Sequence, residues 1–121
     1  MVSYDMLCEP EKLAKYCNTN RVSIASFTPA LITELEPEKF ETLRILDSSG
    51  EAANPDVLSK WIRKCKVINT YGPTETTVNA SSFYYDYVEM KNIPIGKPIM
   101  NTKYWVIDGE NGCGIGVPGE L

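Results

Sequence analysis

Histidine is absent from the 121 residues of the chain. That excludes Ser/His/Asp and Cys/His nucleophilic triads and a histidine general base, so any reaction here must proceed by positioning and charge stabilisation. Cysteine is sparse: Cys8, Cys17, Cys65 and Cys113 stand far apart with no C-x-x-C pair. Without histidine this spacing argues against a zinc site, and the four read as reduced, mostly buried thiols. A basic excess is lacking as well. Twelve Lys and Arg against 16 Asp and Glu leave a net charge of -4, with no basic stripe, which argues against a nucleic-acid partner. No apolar run approaches the length of a bilayer span, and Met1-Val2-Ser3-Tyr4-Asp5 is not a cationic segment leading into one. The expectation is therefore a cytoplasmic protein with no membrane partner. Internal repeats, low-complexity stretches and a G-x-G-x-x-G between strand and helix are also missing.

The rest is ordinary for a globular protein, with 43% hydrophobic and 23% charged residues in one domain's length of chain. Glu9-Pro10 opens a helix that runs through Asn18, with Leu13, Tyr16 and Cys17 at helical spacing. Arg21 to Phe27 reads as a strand, Ala30 to Leu35 as a short helix, and Leu43 to Leu46 as the next strand. Ser48-Ser49-Gly50-Glu51 is expected to leave that strand as a loop. Asn54-Pro55 then starts the clearest helix, with Val57, Leu58, Trp61 and Ile62 on one side. The cations at its end, Lys60, Arg63, Lys64 and Lys66, suit the negative end of the helix dipole. Lys66-Val67-Ile68 returns as a third strand, expected to stop at Asn69.

Strand, helix, strand, helix, strand with short connections predicts a parallel sheet with helices packed on it. Ligands in such sheets sit off the carboxyl ends of the strands, which marks residues 26–28, 47–52 and 69–75 as ligand-facing. Beyond residue 75 come Phe83, Tyr84, Tyr85, Asp86, Tyr87 and Glu89, read as an irregular or β segment that packs its aromatics. From Ile93 the chain is rich in Gly and Pro, with a strand over Tyr104–Asp108 and a hairpin signal at Asp108-Gly109. The chain thus divides into an α/β unit over residues 1–90 and the start of a β-barrel-like one over 91–121.

Unusual chemistry is concentrated in Asn69-Thr70-Tyr71-Gly72-Pro73-Thr74-Glu75-Thr76-Thr77. Gly72-Pro73 forces a turn at a strand end. What it projects is an aromatic face (Tyr71), an amide (Asn69), a hydroxyl beside backbone N–H groups (Thr74) and a carboxylate (Glu75). A purine can stack on the ring, the amide can satisfy a purine edge, and one carboxylate beside a hydroxyl suits Mg²⁺ shared with phosphates. Taken alone, the same turn is also compatible with a purely structural role and a solvated Glu75.

NTYGPTETT over 69–77 resembles the core motif of the adenylation domains of nonribosomal peptide synthetases, within the superfamily that includes acyl-CoA synthetases and luciferases. Leu46-Asp47-Ser48-Ser49-Gly50-Glu51-Ala52 upstream agrees in order and spacing, as do Ile93-Pro94-Ile95-Gly96-Lys97-Pro98 and Val117-Pro118-Gly119-Glu120-Leu121 downstream. The resemblance implies a three-layer, flavodoxin-like α/β fold ending in a short β segment. It implies that an amino acid carboxylate attacks the α-phosphate of ATP, giving an aminoacyl-adenylate that then acylates the phosphopantetheine thiol of a carrier protein. By the same resemblance, Asn69 meets the adenine edge, Tyr71 stacks on the ring, and Gly50, Glu51 and Ala52 form the opposite wall. Thr70, Gly72 and Pro73 complete the nucleotide loop, Thr74 contacts the α-phosphate, and Glu75 holds Mg²⁺.

The implied side-chain pocket is Ser26, Asp47, Ser49, Thr70, Val78 and Asn79, unusually polar for the family. Asp47 either pairs with a polar or cationic substrate side chain or is satisfied within the protein, for instance by Ser48 or Ser49. The family's phosphate loop and α-amino-binding aspartate are expected upstream of this stretch, and its ribose-binding aspartate and catalytic lysine downstream. The chain is therefore expected to be an internal fragment, inactive by itself. A D-alanine–carrier protein ligase shares N-T-Y-G-P-T-E and is a second enzyme reading. A non-catalytic module that self-associates is a third, from another class.

Overall fold

The computed structural model describes residues 4–76, 78–86 and 90–121. Thr77, Tyr87 and Glu89 lie outside the described residues. A single turn, α1 (Tyr4–Leu7), precedes α2 (Pro10–Thr19), which buries Leu13, Ala14 and Cys17 along one side. Strand β1 (Ile24–Phe27) leads into α3 (Pro29–Glu34), and β2 (Ile45–Ser49) into α4 (Pro55–Trp61). Both of these helices start in the same way. Thr28 accepts a hydrogen bond from the Leu31 N–H, Asn54 accepts one from the Asp56 N–H, and proline occupies the next position with its φ already helical. Strand β3 (Lys66–Tyr71) is followed by β4 (Ser81–Tyr85), and β5 (Lys97–Pro98) ends the main sheet.

The sheet order is β1-β2-β3-β4-β5, with β1, β2 and β3 parallel and β4 and β5 antiparallel to their neighbours. The sheet is therefore mixed rather than parallel as expected. The cause is the short connection after β3: its described residues include no crossover helix, so β4 can only fold back alongside it.

Strand register assigns the faces. Ala25, Leu46, Val67 and Tyr85 stand in one row, and Phe27, Ser48, Asn69 and Phe83 in the next row on the same face. This face packs against α2, α3 and α4, with Leu58, Trp61, Ile32, Leu13 and Phe40 fully buried. Each such aliphatic or aromatic side chain contributes about 1.5–3 kcal/mol by leaving water. The other face carries Ser26, Asp47, Ile68 and Tyr84 in one row and Ser49, Thr70 and Ser82 in the next. There Ile24 is 63% and Tyr84 65% exposed, so the described helices cover one face only and form two layers with the sheet.

Several strands differ from expectation in extent. β2 and β3 run to Ser49 and Tyr71, because ladder pairing, Ser49 with Thr70 and Tyr71 with Ser81, holds their backbones whatever the polarity of the side chains. Arg21 has a φ of 52° and Val22 N–H returns to the Cys17 carbonyl, which delays β1 to Ile24. The strand expected over Tyr104–Asp108 shrinks to β6 (Ile107–Asp108), paired with β7 (Asn111–Gly112) across the turn that Asp108-Gly109 signals. Of the cysteines, Cys17 is buried, Cys65 and Cys113 are half-buried and Cys8 is exposed. No helix among the described residues is long and apolar enough to cross a membrane.

Candidate functional site

The carboxyl ends of β1, β2 and β3 lie side by side, so Ser26, Asp47–Ala52 and Asn69–Thr74 meet along one edge of the sheet. Gly50 ends β2 with a φ of 93°, a left-handed conformation that an L side chain rarely adopts, and this swings Glu51 and Ala52 away from the strand. Gly72 acts differently. Its φ is not positive, and a Cβ there would lie 2.4 Å from the Val78 carbonyl oxygen and 2.8 Å from the Ala80 nitrogen. The turn closes through Ala80 N–H donating to the Tyr71 carbonyl (2.8 Å), with Val78 held at φ 78°.

A cavity of about 700 Å³ is bordered by Gly50, Glu51, Ala52, Asn69, Thr70, Tyr71, Gly72, Pro73 and Thr74. These nine are the residues the sequence nominates for nucleotide contact. Ala53, Pro55, Asn92, Ile93 and Ile95 border it too, and sequence reasoning missed them in this role. The I-P-I-G-K-P stretch was the available signal for the last of these. Asn69 is buried, and its Nδ2 donates to the Pro94 carbonyl at 2.9 Å, tying that stretch to the cavity. Asn69, Thr70 and Tyr71 thus stand within a strand, not in a loop.

A second cavity, of about 310 Å³, is bordered by Ser49, Gly50, Thr70, Gly72, Thr74, Val78 and Asn79. The two cavities share Gly50, Thr70, Gly72 and Thr74. Four of the six residues nominated for the side-chain pocket border the smaller one. Ser26 and Asp47 sit behind it, joined by hydrogen bonds. Ser26 Oγ donates to Asp47 Oδ2 and Thr70 Oγ1 donates to Asp47 Oδ1, both at 2.8 Å, while Ser26 Oγ and Ser49 Oγ are 3.1 Å apart. Asp47 is thus satisfied by Ser26 and Thr70, not by Ser48 or Ser49.

Glu75 lies on an exposed 3-10 turn, Thr74–Thr76, which Thr76 fastens by two bonds to the Pro73 carbonyl. It borders neither cavity. Among the described residues no group of three His, Cys, Asp or Glu is placed to hold a metal by protein ligands alone. One carboxylate next to the shared Thr74 is still a donor set that fits Mg²⁺, which takes most of its ligands from phosphate and water.

A cavity of about 740 Å³ opens at the amino ends of β2 and β3, bordered by Arg44, Arg63, Lys64 and Lys66 among others. Its size does not make it the site. Arg63, Lys64 and Lys66 follow α4, where cations complement the helix dipole, and ligands of parallel strands gather at the opposite end.

A family model described as AMP-binding enzyme matches residues 1–121. Tyrocidine synthase 3 of Brevibacillus parabrevis is 36% identical over 128 residues, covering 100% of this chain and 2% of its own length. Gramicidin S synthase 2 of Brevibacillus brevis is 37% identical over 127 residues, covering 99% of this chain and 3% of its own. The solved structure of holo-PA1221, an NRPS protein containing adenylation and PCP domains bound to a vinylsulfonamide inhibitor, matches with a TM-score of 0.78 at 27% identity. That match covers 92% of this chain and 20% of the solved one. The chain spans 2% to 9% of the length of the first curated relatives it matches.

Proposed function

Because the chain belongs to the AMP-binding enzyme family, we propose that it forms the nucleotide slot and side-chain pocket of an amino acid adenylation domain in nonribosomal peptide synthesis. The observation that carries this reading is the convergence of nine motif residues on one cavity, contiguous with a smaller polar one. Strand alternation divides the work. Asn69 and Tyr71 stand on the helix-covered face, and Thr70 on the other.

In this reading the adenine lies in the larger cavity on the Tyr71 ring, with Gly50-Glu51-Ala52 as the opposite wall. Asn69 has one N–H committed to Pro94 and keeps its oxygen and its second N–H, the acceptor and donor that a purine edge requires. The amino acid occupies the smaller cavity, and its carboxylate reaches the α-phosphate near Thr74, a residue common to both. A P–O bond forms there as pyrophosphate departs. The residues contribute orientation and hydrogen bonds to the charge that develops, with no covalent intermediate on the protein. Glu75 is the residue that would hold Mg²⁺, and the ion would supply neutralisation of phosphate charge.

The aminoacyl-adenylate would pass to a phosphopantetheine thiol on a carrier-protein domain. The remainder of the enzyme would complete the phosphate contacts and cover the open sheet face bearing Ile24 and Tyr84, giving the third layer of a flavodoxin-like fold. The β6–β7 hairpin would begin the β-barrel-like unit.

The test is a titration of the chain with Mg-ATP and with a stable aminoacyl-adenylate mimic, followed by amide chemical shifts. Shifts are expected at Asn69 to Glu75 and Gly50 to Ala52. Shifts centred on Arg44 and Lys66, or none at millimolar ligand, would overturn the reading.

A further inference from the structure

The hydroxyl protons around Asp47 have only one consistent arrangement. As a carboxylate Asp47 has no proton to give, so Ser26 Oγ and Thr70 Oγ1 must donate to its two oxygens. A serine hydroxyl has a single hydrogen. With that of Ser26 already on Asp47, the 3.1 Å contact between Ser26 and Ser49 is made by the Ser49 proton. All three hydroxyl protons therefore point inward toward one charge. Ser49 and Thr70, the two that border the smaller cavity, present it with lone pairs only.

Resting on the proposed adenylation reading, we propose that this cavity selects an amino acid whose side chain ends in hydrogen-bond donors, best of all an ammonium group, and rejects a side-chain carboxylate. A donor meets two oriented acceptors, polarised by the Asp47 charge behind them. A carboxylate meets the same lone pairs and the same charge, with no proton within reach on that wall and desolvation to bear. An apolar chain leaves the acceptors unpaired, which costs affinity without repulsion. The rest of the lining is Gly50, Gly72 and Val78, contact surface for the stem of the side chain, together with Thr74 and Asn79. The Asn79 amide carries an acceptor as well as donors and can turn its oxygen to a donor-ended side chain, so the selectivity is set by the Ser49 and Thr70 side of the cavity.

The test uses three sulfamoyl-adenosine mimics that differ only in the aminoacyl side chain: ornithyl (ammonium), norvalyl (apolar, similar length) and glutamyl (carboxylate). Each is titrated into the chain, with affinity taken from the amide shifts. The ornithyl compound is expected to bind about tenfold or more tighter than the norvalyl one, as a hydrogen bond from a charged donor supplies, and the glutamyl compound weakest. In Asp47→Asn, where an amide N–H turns one hydroxyl proton outward, all three affinities should converge. The comparison is made between ligands in one protein, so partial unfolding of the variant cannot imitate it. Equal binding of the ornithyl and norvalyl mimics, or glutamyl binding as tight as ornithyl, overturns the selectivity while leaving the adenylation reading intact. Binding by none of the three overturns that reading and the selectivity with it.

Discussion

Gly72 rests against the carbonyl of Val78 with no room between them for a methyl group. The contact folds the turn after β3 back on itself, and both cavities are bounded by Gly72. Gly72→Ala should destabilise the chain by about 1–3 kcal/mol, the usual cost of overpacking. Denaturant unfolding with unchanged slope would register this, and the shifts caused by an adenylate mimic should weaken together. Wild-type stability in the variant would show that the turn is softer than its geometry implies.

Ser48 is fully buried, and its Oγ has no hydrogen-bond partner among the described residues. An unsatisfied buried hydroxyl costs about 1–3 kcal/mol. Ser48→Ala should therefore leave stability unchanged or raise it by about 1 kcal/mol, read as a higher urea midpoint. A clear loss would reveal a partner for the hydroxyl.

Removing the bond between Asn69 and Pro94 should release the 92–95 stretch from the larger cavity. Asn69→Ala is expected to cost about 1–3 kcal/mol, since the Pro94 carbonyl loses its donor. It should also broaden or shift the amides of Asn92, Ile93 and Ile95 without ligand. Unchanged signals at those three residues would contradict the tether.

Thiol alkylation should separate the cysteines. Cys8 is exposed and should react first. Burial pushes the Cys17 and Cys65 thiols up, partly offset at Cys65 by a hydrogen bond with the Leu46 backbone and by nearby Lys64. A raised value means the reactive thiolate forms only at higher pH. Labelling of these two in the folded chain should therefore lag at neutral pH and accelerate above the ordinary thiol range, as mass spectrometry of timed samples would show. Equal rates at all sites would mean the core is open.

Tyr85 offers a test at alkaline pH. Burial raises its phenol, and nearby Asp56 adds to the effect. The folded state thus holds the proton more tightly than the unfolded chain, so this contribution is complete below about pH 10 and is lost as pH rises through the folded value. Tyr85→Phe should flatten that alkaline decline, followed by thermal unfolding at stepped pH.

Much of the fold was legible because local signals agreed with it. Asn54-Pro55 announced α4, the alternation of strands and helices gave β1 to β3 their common direction, and the carboxyl-end rule located residues 26–28, 47–52 and 69–75 before any geometry. The misses have physical causes. Asp47, Ser48, Ser49, Asn69 and Thr70 are polar, yet their backbones are held in the sheet ladders, so polarity falsely suggested that β2 and β3 had ended. The reversal at β4 depends on the close approach at Gly72, a distance that no periodicity encodes. The Ser26, Asp47, Ser49 and Thr70 network joins three strands, and only the register shows that it shares one face.

Ser26, Asp47 and Ser49 stand on the side of the sheet away from the helices, and none of them borders the larger cavity. The pleat thus sets these three side chains back from the larger cavity, and Thr70, held by Asp47, links them to it. In the proposed reading, a replacement at Ser26 or Ser49 would reshape the smaller chamber with the walls of its neighbour in place, whereas one at Asp47 would be felt in both.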